Sequence, residues 1–199
     1  MKKFEEKKFD IPKLKGISEK NIAEHLKLYS GYVKHVNLIL SMVEMYGKVD
    51  DEGGKYSLSE DTRRFSFEFN GMRNHEYYFS AFENGPTPLT ASGELARAIT
   101  DEWGSFDEWL ARFKTIAATR GVGWAMLYFD PVSKRLINNW NDEQHLGQLN
   151  GCRTVLALDM WEHSYVYDYQ PSGKKQYIED FFANLNWKAI ENNFTEAKK

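Results

Sequence analysis

Apolar residues recur at helical spacing from Ile17 to about Tyr46, and Gly16-Ile17-Ser18 opens that run with Ser18 as N-cap and Ile17 as a staple residue. Gly47 and the polar loop Lys48 to Lys55 end it. A second helix is expected from near Ser59, where Glu60 and Asp61 favour the first turn, to about Phe82. Two long helices joined by a short polar loop predict an antiparallel hairpin. The segment Glu83-Asn84-Gly85-Pro86-Thr87-Pro88-Leu89 is the clearest break and divides the chain into lobes 1–85 and 86–199. Beyond it, Ser92 to Trp103 and Ser105 to Thr119 read as helices separated by Gly104. The pattern then changes to strands at Gly121 to Phe129, Arg135 to Trp140 and Arg153 to Leu158, with turns at Asp130-Pro131 and Asn150-Gly151. Helices around Ser164 to Tyr169, Lys174 to Leu185 and Trp187 to Asn193 close the chain. The fold class is α+β: an N-terminal antiparallel α-hairpin, then an α/β domain with a small three-stranded antiparallel sheet.

Composition narrows the function. With 42% hydrophobic and 15% aromatic residues, the 199-residue chain has enough apolar surface for a packed core. Its formal net charge of −3 gives no global attraction to nucleic acid or to acidic membranes, so neither partner is expected. No apolar run approaches the ~18 residues of a membrane span. The lead from Met1 to Pro12 mixes lysines with acids and lacks both the apolar centre of a signal peptide and the acid-poor character of a transit peptide. The single cysteine, Cys152, permits no internal disulfide, fits a reducing compartment and reads as a small buried residue. A cytoplasmic location is expected.

The chemistry gathers after the last strand. Val155 to Leu158 form a short apolar run, Asp159 follows directly, and His163 lies four residues on. A bare carboxylate is costly where a strand leaves the core, so a positive group is expected beside it. A metal ion would serve, since oxygen and imidazole ligands suit iron, manganese or zinc. On spacing alone such a pair is more often an N-cap aspartate with a histidine one turn later.

The flanks decide between these readings. Asp159-Met160-Trp161-Glu162-His163-Ser164-Tyr165 closely resembles the Asp-x-Trp-Glu-His-Ala-Tyr signature of the iron/manganese superoxide dismutases. In matching order, Ile17 to His25 resembles that family's opening helix and Asn70 to His75 its second-helix histidine segment. Gly121-Val122-Gly123-Trp124 is similar to its Gly-Ser-Gly-Trp strand, and Asn186-Trp187 to its late Asn-Trp. Of the five histidines the resemblance selects His25, His75 and His163, with Asp159, as ligands of one manganese or iron ion per subunit. Ligands from both lobes would make metal binding contribute to folding. His35 stands ten residues after His25 and, at about 100° per residue, points some 80° off that face, so it reads as surface or structural. The implied reaction is superoxide dismutation: one superoxide leaves as dioxygen, the next as hydrogen peroxide.

The same resemblance implies surrounding roles. Tyr32, seven residues after His25 and within about 20° of its face, is the candidate gate. The family spacing is one residue longer and needs an irregular turn, which this chain is inferred to have lost. Position 71, four before His75, is glycine, so the glutamine that would bond the solvent ligand is sought in Asp142-Glu143-Gln144-His145. Gln144 is preferred and His145 is the competing choice. Trp124 and Trp161 would wall the site, with Tyr77 and Tyr78 supporting the wall. Glu162 is implied to reach the partner's ligand histidine across a two-fold interface that Tyr165 would line, giving a homodimer. The family's bridging histidine and tyrosine are replaced here by Tyr29 or Leu28 and by Val166. Lys174 and Lys175 stand near the place of its anion-attracting basic residue. Two rivals are carried: a mononuclear iron oxygenase, disfavoured by the third histidine, and a metal-holding relative without turnover.

Overall fold

The first helix, α1 (Glu19–Tyr46), starts where Ser18 accepts a hydrogen bond from the Asn21 amide at 3.1 Å. It is unbroken over 28 residues and buries Ile22, Tyr29, Val33 and Val36. The computed structural model describes residues 2–199. The second helix, α2 (Glu52–Ser80), begins seven residues before the expected Ser59. Asp51 caps it, accepting from the Gly54 amide at 2.7 Å. Gly53-Gly54 reads as loop in the sequence, but Gly54 is needed for packing: a Cβ there would lie 2.5 Å from the Val49 side chain, so only glycine lets the loop fold back on the helix start. The two helices pack as the expected hairpin.

Ahead of the hairpin, the charged lead runs extended along it. The Phe4 amide donates to Asn37 Oδ1 and Asn37 Nδ2 donates to the Phe4 carbonyl, both at 2.9 Å. The Lys7 amide donates to the Tyr29 hydroxyl at 2.9 Å.

After the break come α3 (Glu94–Trp103) and α4 (Phe106–Ala117), then strands β1 (Gly123–Asp130), β2 (Arg135–Asp142) and β3 (Arg153–Asp159). The sheet is antiparallel in the order β2-β1-β3. As the central strand, β1 is buried at every residue but its last, which explains its continuous apolar run Trp124 to Phe129. The register sets Trp124 opposite Asp159. Next follow α5 (Glu162–Tyr169), a 3₁₀ turn (Pro171–Gly173), α6 (Lys174–Ala183) and α7 (Trp187–Ala197). One buried apolar cluster joins Val33 and Phe79 of the hairpin to Leu127, Leu158, Phe181 and Phe194 beyond it. The break is pinned by Asn186, whose Nδ2 donates to the Glu83 carbonyl at 2.7 Å and whose Oδ1 accepts from Thr87 at 2.8 Å. No helix among the described residues is long and apolar enough to cross a membrane.

Candidate metal centre

Four residues from α1, α2, β3 and α5 meet at one enclosed point. Asp159 ends β3 fully buried, and its Oδ2 lies 3.1 Å from His25 Nε2, 3.1 Å from His163 Nε2 and 3.5 Å from His75 Nε2. One donor atom from each falls within 4.8 Å of every other. The carboxylate is held from behind. Its Oδ1 accepts from the Trp161 amide at 2.8 Å, while its backbone carbonyl accepts from Ser164 Oγ at 3.0 Å and the Tyr177 hydroxyl at 2.9 Å. The Tyr177 oxygen in turn accepts from the Tyr78 hydroxyl at 3.1 Å.

The histidine tautomer is set by backbone. His75 Nδ1 lies 2.6 Å from the Gly71 carbonyl, which can only accept, so the proton sits on Nδ1 and a bare lone pair on Nε2. That Nε2 is buried with no hydrogen-bond partner. Burial pulls His75 down to about 3, helped by the neighbouring His25, and burial likewise lowers His25, so both rings are neutral at pH 7. Burial pushes the Asp159 carboxyl upward, but His163 and then His25 outweigh it and hold it well below the usual carboxylate range. A buried set of two neutral imidazoles, a third at the rim and one carboxylate leaves a negative charge and an orphaned lone pair. Such a set fits a manganese or iron cation.

Aromatic rings close the point in. Trp124 meets His75 edge-on at 5.1 Å between centroids, Trp161 stacks on His163 at 5.7 Å, and Tyr78 and Phe79 lie 5.0 and 4.9 Å from His25. Tyr77 instead faces a groove of about 640 Å³ on the other side of α2. Tyr32 reaches the centre on the unbroken α1, its ring 5.1 Å from that of His75. Gly71 makes the room: a Cβ at this position would lie 2.5 Å from the Tyr32 ring. We predict that Gly71→Ala, favourable for an isolated helix, here displaces Tyr32, costs about 1–3 kcal/mol and lowers activity about tenfold; melting curves and initial rates check it.

Gln144 and His145 differ in surroundings. Gln144 is fully buried, donates from Nε2 to the Tyr32 hydroxyl oxygen at 2.9 Å and accepts at Oε1 from Trp124 Nε1 at 2.9 Å. Asn74 Nδ2 holds its backbone carbonyl at 3.1 Å, a role that sequence reading missed because it depends on a contact 70 residues away. His145 packs on Phe67, 5.7 Å between centroids, rather than on Tyr32. Burial and then the Asp159 charge raise the Tyr32 phenol above its ordinary value, with Glu68 adding and Arg64 opposing. Beside Tyr32, the Phe67 ring packs against Tyr32, His145 and Trp161, a cluster with no signal in the sequence pattern.

On the outer side, Glu162 is exposed at the start of α5, without a hydrogen bond or ion pair among the described residues. His163 is 22% exposed at the floor of a surface cavity of about 360 Å³ lined by Asn21, Glu24, Glu162, Val166 and Tyr167. Tyr165 turns inward and stacks on Tyr177 at 5.4 Å. Tyr29 is buried too, donating to Glu76 at 3.3 Å, and burial raises its phenol to about 12; Leu28 is the outward residue, 43% exposed. Lys174 donates to the Thr119 carbonyl at 2.6 Å over the Trp140 ring. His35 is half exposed, 3.6 Å from Glu68.

Comparison with known proteins agrees with this geometry. The model of the iron/manganese superoxide dismutases, C-terminal domain, matches residues 91–193. The iron superoxide dismutase of Cupriavidus metallidurans is 34% identical over 188 residues, 93% of this chain and 92% of that protein. A manganese superoxide dismutase of Mycobacterium lepraemurium is 31% identical over 180 residues, 89% of this chain and 84% of that one. A second manganese enzyme, from Halobacterium salinarum, is 42% identical over 105 residues, 53% of this chain and 52% of its own. With a buried three-histidine, one-aspartate cluster and relatives aligned along nearly its whole length, the chain belongs to the iron/manganese superoxide dismutase family.

Proposed function

We propose that this chain is a superoxide dismutase in which His25, His75, His163 and Asp159 hold one manganese or iron ion. The observation that carries the reading is the His75 Nε2 lone pair, buried without a partner and aimed with three other donors at one point. When bound, the ion supplies one-electron oxidation and reduction in turn, so two superoxide anions and two protons become one dioxygen and one hydrogen peroxide. The protein supplies orientation, dryness and protons. Tyr32 accepts from Gln144 and so keeps its own O–H free to donate toward the centre. Its raised pKa keeps that proton in place at neutral pH. Gln144 is clamped by Trp124 and Asn74, which fixes the one amide hydrogen not committed to Tyr32. Trp124 and Trp161 exclude bulk water from the ligand rings.

In this reading the working unit is a homodimer in the cytoplasm, of two-lobed subunits (1–85 and 86–199). The unpaired Glu162 carboxylate beside the partly open His163 supports a partner at that face, with Glu162 fixing the partner's ligand histidine and Tyr165 bracing the surface from beneath. The family model's start at residue 91 supports the lobe division, and the single Cys152 fits a reducing compartment.

The test is to strip the protein of metal, reload it separately with manganese and iron, and follow superoxide loss. At least one loaded form should consume superoxide far faster than the free ion. His75→Ala should lose both metal and activity while keeping its helix content. Bound metal without superoxide consumption in either form overturns the catalytic reading and leaves a metal-holding relative.

A further inference from the structure

We propose that Arg64, a residue with no motif around it, is the cation that draws superoxide toward Tyr32 and the centre; this rests on the dismutase reading above. Three observations support it. First, Arg64 sits on the aromatic cluster beside Tyr32. Its guanidinium lies 3.6 Å over the centroid of Phe67, whose ring is 6.2 Å from Tyr32, 5.7 Å from His145 and 6.4 Å from Trp161, which itself stacks on the ligand His163. One helical turn of α2, with partners at i+3 and i+4, thus carries a positive charge onto the aromatic collar around the centre.

Second, the charge is fixed in place and outward. Arg64 Nε donates to Glu68 Oε1 at 3.1 Å and Nη2 lies 3.1 Å from the same oxygen. The carboxylate side chain is 9% exposed and the Arg64 side chain 51%, so an approaching anion meets the guanidinium before the carboxylate behind it. Nη1 has no hydrogen-bond partner among the described residues and remains a free donor for a small anion. Third, the cation expected for this task is engaged elsewhere. Of the two lysines named above, Lys174 is tied to the Thr119 carbonyl and packs on the Trp140 ring, leaving only Lys175 exposed at the start of α6, and the chain as a whole carries −3. Attraction must therefore be local, and a fixed positive charge beside the centre raises the arrival rate of a small anion.

The experiment compares wild type with Arg64→Gln and, as a charge-matched control, Arg63→Gln, whose arginine pairs with Glu60 on the surface. All three proteins are loaded with the same metal, and metal content is measured first. Two quantities follow: the ionic-strength dependence of the superoxide rate constant, and azide affinity from the visible absorption of the loaded protein. R64Q should lower the low-salt rate about threefold, flatten the salt dependence and weaken azide binding by a similar factor. R63Q should match wild type. R64Q protein that matches R63Q in azide affinity overturns the proposal, as does an unaltered salt slope where turnover is present. Azide binding does not require turnover, so a wild type that consumes no superoxide would refute the dismutase reading while the role of Arg64 was still decided.

Discussion

Asp159→Asn yields a folded protein that holds roughly a tenth or less of the wild-type metal and loses about a thousandfold in superoxide consumption. The substitution is nearly isosteric, so the effect comes from which atom faces the histidines. The Trp161 amide donates to Oδ1 at 2.8 Å, and in the variant only the amide oxygen can accept there. The NH2 group is then turned to the point where Oδ2 now meets all three imidazoles. A donor without an available lone pair stands where an anionic ligand is required. Metal analysis, circular dichroism and initial rates check the outcome; a variant that keeps manganese or iron at the wild-type level contradicts the ligand assignment.

Metal removal has the second large effect, on stability. The four candidate ligands come from α1, α2, β3 and α5, so a bound ion would tie the helical hairpin to the sheet and the helix after it. At a thousand times Kd, binding to the folded state alone contributes about 4 kcal/mol, or about 8–15 °C in Tm for a chain of this size. The stripped protein should also be acid-sensitive. His75 is held near 3 when folded and takes up its proton near 6.5 when unfolded, so the unfolded state binds more protons between those values. Stability therefore falls as pH drops from about 6.5 toward 3, and the depressed Asp159 adds to the loss below about 4. Scanning calorimetry of loaded and stripped protein at several pH values tests both. Coincident melting curves at neutral pH would mean that the ion does not bridge the hairpin and the sheet.

Much of this was legible in the residue order. Helix spacing marked the hairpin, short runs bounded by turns marked the three strands, and the stretch Asp159 to Tyr165 pointed to the family. Where reading failed, a tertiary contact had overridden a local signal. Gly53-Gly54 looks like loop, yet α2 begins before it because Val49 fills the space that a side chain at position 54 would need.

The amino-acid order by itself determined the elements, through periodicity, and the family and the four candidate ligands, through a resemblance whose motifs recur in order along the chain. Only the folded chain decided that Gln144 and not His145 meets Tyr32, that Tyr29 turns inward while Leu28 stays out, and that Lys174 is spent on the Thr119 carbonyl while Arg64 lies over Phe67. Each of the first two choices is between neighbouring side chains. Local sequence leaves them equivalent, and what separates them is which one finds a partner dozens of residues away, whether a hydrogen bond, an aromatic face or an empty space beside a glycine.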